Sequence, residues 1–150
     1  HNTYLEADQL RGPASVHQYI SVLCAGCRCV ELDLWEGPDG AGPVITHGHT
    51  LVRKIALRDV LEAIAAYAFR ASEFPLILSF ENHCGFEQQA VVADLCVELL
   101  GDALATPDEL GRLSDQPAGR LPSPAALARR SSASRSLSRS RAARDRATRR

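Results

Sequence analysis

Residues 16–100 alternate between two hydrophobic periods, and that alternation limits the fold more than any other feature. Val16, Tyr19, Ile20 and Leu23 recur at helical spacing, as do Leu57, Val60, Leu61, Ile64 and Ala68. Runs suited to strands cover 28–35, 43–47 and 75–82, and a third helical pattern covers 86–100 before Gly101. Strands interleaved with helices predict an α/β chain with a largely parallel sheet. One link departs from the pattern. Residues 36–42 are too few for a parallel crossover, which needs about a dozen. Residues 29–47 are therefore expected to fold back as a hairpin or irregular corner near Gly40, with His47 beside Asp33.

Within the first strand pattern, alternate residues share a face. Val30, Leu32 and Leu34 project one way, and Glu31 and Asp33 the other. Two neighbouring carboxylates on a half-buried strand repel each other and are costly unless paired or metal-bound. On the third strand, Ile77, Ser79 and Glu81 share a face, so another carboxylate lies at a strand's C-terminal end. Asn2, Glu31, Asp33 and Glu81 form an all-oxygen set suited to Ca²⁺ and less suited to zinc. His1 and His47 are candidates for proton transfer or for stabilising a charged transition state.

Charge divides the chain. Residues 1–104 carry six basic and fourteen acidic side chains, whereas 105–150 carry eleven basic and four acidic. Two regions with different physics are implied. From about Thr106 the periodicity fails, and Pro107, Pro117, Pro122 and Pro124 punctuate a polar stretch. Residues 129–150 hold nine arginines, many serines and little to bury, so disorder is expected. Such a tail could mimic an Arg/Ser RNA-binding segment or touch anionic lipid, or be an accident of splicing or reading frame.

No run approaches the eighteen or so apolar residues of a membrane span. The chain begins with His and shows no N-terminal signal, which suggests a fragment or processed piece. Five cysteines without a leader fit reduced thiols in the cytosol. Cys24-x-x-Cys27-x-Cys29 has the look of a metal clip but lacks a second half, so packing is the expected role.

The runs HNTYL (1–5), AGCRCVELDLWEGPDG (25–40), ITHGHTL (45–51), RDVLEAI (58–64), YAF (67–69) and PLILSFENHCGFEQQ (75–89) resemble the X region of eukaryotic phosphoinositide-specific phospholipase C, nearest its delta class. The resemblance covers about residues 1–104. It implies the X half of a TIM-type (β/α)8 barrel, with the active site at the strands' C-terminal ends. It places Asn2, Glu31, Asp33 and Glu81 at calcium-ligand positions, and His1 and His47 at those of two catalytic histidines. His49 matches a non-catalytic position, and His83 is read as structural. The implied reaction cleaves phosphatidylinositol 4,5-bisphosphate to diacylglycerol and inositol trisphosphate. The inositol 2-hydroxyl attacks the phosphodiester, and water opens the resulting cyclic phosphate. Glu31 is implied as general base, His1 as stabiliser of the pentacovalent phosphorus, and His47 as proton donor to the departing diacylglycerol oxygen. Peripheral membrane association through other modules, a cytoplasmic location and no nucleic-acid partner are the accompanying expectations.

The resemblance has gaps. A first barrel strand is expected before His1, and a Y half is expected beyond the X half. The family's Leu-Pro-Ser-Pro stretch stands at 121–124, but the Gly- and Lys-rich strand that should follow is replaced by Ala128-Arg129-Arg130-Ser131-Ser132. Residues 105–128 are read as linker and 129–150 as a disordered tail produced by a frameshift or incorrect exon. The rival reading is a catalytically silent fragment that binds or interferes with a partner.

Overall fold

The computed structural model describes residues 2–7, 12–108 and 122–136. Helix α1 (Val16–Cys24) starts at Ser15, whose hydroxyl accepts the Gln18 N–H at 3.3 Å. It stops at Gly26, which takes a positive φ of 94°. There the Cys27 N–H bonds the Val22 carbonyl and the Gly26 N–H bonds the Leu23 carbonyl, satisfying the helix's last acceptors. Strand β1 (Cys29–Glu36) follows, then a short 3₁₀ turn (Pro38–Gly40), β2 (Pro43–Ile45) and β3 (Ile55–Ala56). Helix α2 (Leu57–Tyr67), β4 (Leu76–Asn82), α3 (Phe86–Leu100) and β5 (Ser131–Ser136) complete the described elements.

The five strands form one sheet in the order β3-β2-β1-β4-β5. β1, β4 and β5 run parallel, while β2 and β3 are added antiparallel. The hairpin expected at 29–47 forms, but its register differs by one residue. Leu34 pairs with Ile45 and Glu36 with Pro43, so Thr46 rather than His47 lies opposite Asp33 and donates its N–H to the Asp33 carbonyl at 3.2 Å. The connection holds an even number of residues, so the fold-back is centred between Asp39 and Gly40 instead of on Gly40.

Val30, Leu32, Leu34, Leu76 and Leu78 join Tyr19, Leu23, Leu57, Leu61, Ile64 and Val92 in one buried core. Each fully buried large apolar side chain contributes on the order of 2 kcal/mol of transfer free energy. The three helices thus cover one sheet face. Arg28 ties this layer to the start of β1. Its guanidinium donates to the carbonyls of Ala68 at 2.7 Å, Phe74 at 3.0 Å and Ser72 at 3.3 Å. The opposite face carries Glu31, Asp33, Ile77, Ser79 and Glu81, and there Ile77 is 44% exposed.

β5 corrects the expectation of disorder from residue 129, at least as far as residue 136. Ser131–Ser136 pairs in parallel with Leu76–Glu81, taking the next place in the sheet. Its entry is held by three backbone bonds: Arg129 N–H to Glu73 at 2.7 Å, Leu76 N–H to Arg130 at 2.9 Å, and Ala105 N–H to Ser131 at 2.8 Å. Composition predicted poorly here because a strand's main-chain ladder requires no apolar side chains on both faces. The 137–150 part of the tail, and 109–121 of the linker, lie outside the described residues.

Candidate active site

The parallel register places Asp33 opposite Glu81 and Glu31 opposite Ser79, so all three carboxylates rise from the open sheet face. They lie at the C-terminal ends of β1 and β4. Asp33 is only 3% exposed, and burial pushes its carboxyl above the usual carboxylate range, against hydrogen bonds that pull it down. Trp35 Nε1 donates to Asp33 Oδ1 at 2.8 Å, and the Tyr4 hydroxyl donates to Oδ2 at 3.1 Å. The Tyr4 phenol is itself driven well above its ordinary value, by burial first and by Asp33 next.

Asn2 sits in the left-handed region at φ 49°, a conformation Asn tolerates better than most residues. Its Oδ1 lies 3.2 Å from the Tyr4 hydroxyl, whose one proton is shared between it and Asp33 Oδ2. Its Nδ2 is buried and makes no hydrogen bond. The Asn2 backbone N–H donates to the Glu31 carboxylate, and Thr3 Oγ1 accepts the Glu31 N–H at 3.0 Å. The N-terminal segment is thereby fastened along β1 beside the carboxylates.

His83, read from the sequence as structural, meets the acidic pair directly. Its Nε2 lies 3.3 Å from both Asp33 Oδ1 and Glu81 Oε1. Among the described residues, Asp33, Glu81 and His83 place their donor atoms within 4.8 Å of one another. His83 thus lies between the two carboxylates, a place that a structural histidine can fill. Glu31 stands apart from that trio, its carboxylate engaged with Asn2.

A concavity of about 210 Å³ is lined by Asn2, Asp33, Trp35, His47, Gly48, His49, Glu81 and His83. His47 reaches it from the loop after β2. That loop is stitched by Thr50 Oγ1 donating to the His47 carbonyl at 2.6 Å and Thr46 Oγ1 donating to Val52 at 3.1 Å. The structure thus gathers Asn2, Asp33, Glu81 and His47 around one hollow, with Glu31 beside it. His1 lies outside the described residues.

Sequence reasoning gave Tyr4 and Trp35 no role and gave His83 only a structural one. The period-two rule could have found the last two, since Trp35 follows Asp33, and His83 follows Glu81, by two strand positions. The cysteine expectation also needs correction. Cys24, Cys27 and Cys29 are free and exposed rather than packed, and they form no metal-holding group among the described residues.

The donors suit a hard cation. Three carboxylates and the Asn2 amide Oδ1 offer oxygen, the ligand type Ca²⁺ prefers, and the carboxylates of Asp33 and Glu81 stand side by side in the sheet. Asn2, Glu31, Asp33 and Glu81 are the residues that would hold such an ion.

Residues 1–131 match the family model described as phosphatidylinositol-specific phospholipase C, X domain, extending past the expected limit near 104. The chain is 52% identical over 124 residues to the Bos taurus 1-phosphatidylinositol 4,5-bisphosphate phosphodiesterase delta-4, covering 83% of this chain and 15% of the relative. It is 53% identical over 127 residues to the Mus musculus delta-3 enzyme, covering 85% and 16%. The chain therefore spans about a sixth of the length of these curated relatives. Among solved structures, PLC21 of L. pealei aligns with a TM-score of 0.76 at 43% identity, over 89% of this chain and 17% of that one. A calcium-dependent phosphoinositol-specific phospholipase C from a Pseudomonas species shares the fold, with a TM-score of 0.65 at 18% identity over 92% and 55%. A mixed sheet with carboxylates at its strand ends, a match to the X-domain model across most of the chain, and delta-type relatives at half identity together place this chain in the phosphatidylinositol-specific phospholipase C family, as an X domain.

Proposed function

We propose that this X domain supplies the metal-binding half of a calcium-dependent phosphodiesterase acting on phosphatidylinositol 4,5-bisphosphate. The supporting observation is the registered Asp33–Glu81 pair at adjacent strand ends, with Asn2, Glu31 and His47 around it. Bound Ca²⁺ would lower the pKa of the inositol 2-hydroxyl and neutralise charge developing on phosphorus. Glu31 takes the proton from that hydroxyl. His47 delivers a proton to the diacylglycerol oxygen as it leaves, and His1 stabilises the pentacovalent phosphorus. The products are diacylglycerol and inositol 1,4,5-trisphosphate, formed through a cyclic phosphate. Among the described residues no helix is long and apolar enough to cross a membrane. Access to the lipid then comes from peripheral association of a cytoplasmic protein through its other modules.

The test is a calcium titration of product formation, with this X domain joined to the remaining barrel segments of a delta-class relative. Glu81→Ala should shift the calcium midpoint upward by 10-fold or more, since it removes a charged ligand. An unchanged midpoint would exclude Glu81 as a ligand.

A second reading also has an observation behind it. The sheet face that carries the carboxylates leaves Ile77, near the start of β4, 44% exposed. On its own the chain would then be catalytically silent, acting at most as a binding or interfering module.

A further inference from the structure

Trp35 extends the same strand face as Glu31 and Asp33, and its indole is confined on several sides. It stacks on His83 with centroids 4.1 Å apart and planes 15° from parallel, and meets His49 edge-on at 5.3 Å and 84°. Gly48 closes the remaining side. A Cβ on Gly48 would fall 1.9 Å from Trp35 Cζ2, so the loop needs glycine where the ring lies against its backbone. Held this way, the indole N–H meets Asp33 Oδ1 at 2.8 Å, a length typical of a charge-assisted bond. Tyr4 holds the other oxygen of the same carboxylate.

We propose that Trp35 is a positioning residue for Asp33, fixing its carboxylate in the orientation a divalent cation requires; this rests on the calcium reading above. Two donors, one on each oxygen, stop the carboxylate from rotating about its own axis. Oδ2, which meets only Tyr4 among the described residues, keeps a further lone pair for a metal, whereas Oδ1 also faces His83 Nε2 at 3.3 Å. The stack against His83 joins the Trp35 ring to the other side of the cluster, where His83 meets Glu81. One indole therefore orients an aspartate directly and borders the histidine that touches both acidic partners. Packing alone would need the ring but not its N–H. Loss of a partner that orients a metal ligand typically costs 10–100-fold in metal affinity.

The experiment replaces Trp35 with benzothienylalanine in the full chain, which keeps the bicyclic ring and substitutes sulfur for the N–H. Calorimetric titration with Ca²⁺ should show affinity falling 10–100-fold while the thermal midpoint of the metal-free protein stays close to wild type. Equal affinity in wild type and variant would overturn the positioning role and leave the calcium reading intact. Absence of Ca²⁺ binding by the wild type would overturn the calcium reading, and this proposal with it. Gly48→Ala gives an independent check, because it displaces the indole without altering its N–H. Trp35 is the chain's only tryptophan, so tryptophan-excited Tb³⁺ emission reports an ion beside it. Gly48→Ala should dim that emission and weaken Tb³⁺ binding. Unchanged emission and affinity would count against the proposal.

Discussion

Burial holds the Asp33 carboxyl above the ordinary carboxylate range, although Trp35, His83 and Tyr4 all favour its ionised form. Without a cation, the ionised carboxylate therefore disfavours the fold. The unfolded chain ionises at the ordinary value of about 3.9. The penalty grows as pH rises from there through the higher folded value, and is constant above it. Asp33→Asn keeps an acceptor for Trp35 and can donate to Tyr4, so it should raise the metal-free melting temperature at neutral pH. The advantage should shrink as pH falls through the raised folded value and vanish below the ordinary carboxylate value. The same variant should bind Ca²⁺ at least 10-fold more weakly. In saturating calcium the order should reverse, because a ligand that binds only the native state stabilises it. Paired melting curves across pH, with and without calcium, check this. A lower melting temperature for Asp33→Asn at neutral pH in chelator would refute the argument.

At the scale of elements, the ladder joining β4 to β5 makes a claim that composition opposed. Ser131–Ser136 should show slower amide exchange than an unstructured Arg/Ser segment, since its pairing with Leu76–Glu81 occupies main-chain groups. Exchange at random-coil rates across these residues would remove β5 from the sheet. The three helices and the β1 and β4 strands were legible in the sequence because each carries a strong hydrophobic period. Gly26 and Gly101 likewise marked their helix ends. Ile55–Ala56 was not legible, since two residues give no period to read. β5 was hidden by serine and arginine, whose side chains say little about the main-chain bonds beneath them. In the site, alternation put Glu31 and Asp33 on one face of β1 and Glu81 with Ser79 on one face of β4, and the parallel register brings the two faces to the same side. Tyr4 and the contacts of His83 were missed for different reasons. Tyr4 reaches Asp33 from a loop, where no periodicity applies, whereas His83 needed only one further step of the β4 alternation.

Across the whole molecule, the asymmetry of the sheet decides what this chain can do unaided. One face is closed by α1, α2 and α3, and the other continues from the carboxylates to Ile77 and Cys29 with both exposed. A site that depends on positioning loses rate steeply when its walls are incomplete, because small misplacements of substrate are expensive. The acidic cluster also provides no cation to orient the inositol phosphates; among the described residues lining its hollow there is no lysine or arginine. The 150-residue chain should therefore hydrolyse phosphatidylinositol 4,5-bisphosphate very poorly even in excess calcium. Joined to the remaining barrel segments of a delta-class relative, it should turn over in a calcium-dependent way. In that joined enzyme His47→Ala should lower turnover by about 10²–10⁴, the range of a positioned acid or base, with calcium affinity nearly unchanged. The separation follows from the structure, since His47 lines the hollow from the β2 loop and stands outside the Asp33–Glu81–His83 donor group. Product release measured against calcium for the lone chain, the joined enzyme and its His47→Ala variant distinguishes the cases. Robust turnover by the lone chain would show that the open face is no impediment. Full turnover by the variant would remove His47 from the chemistry.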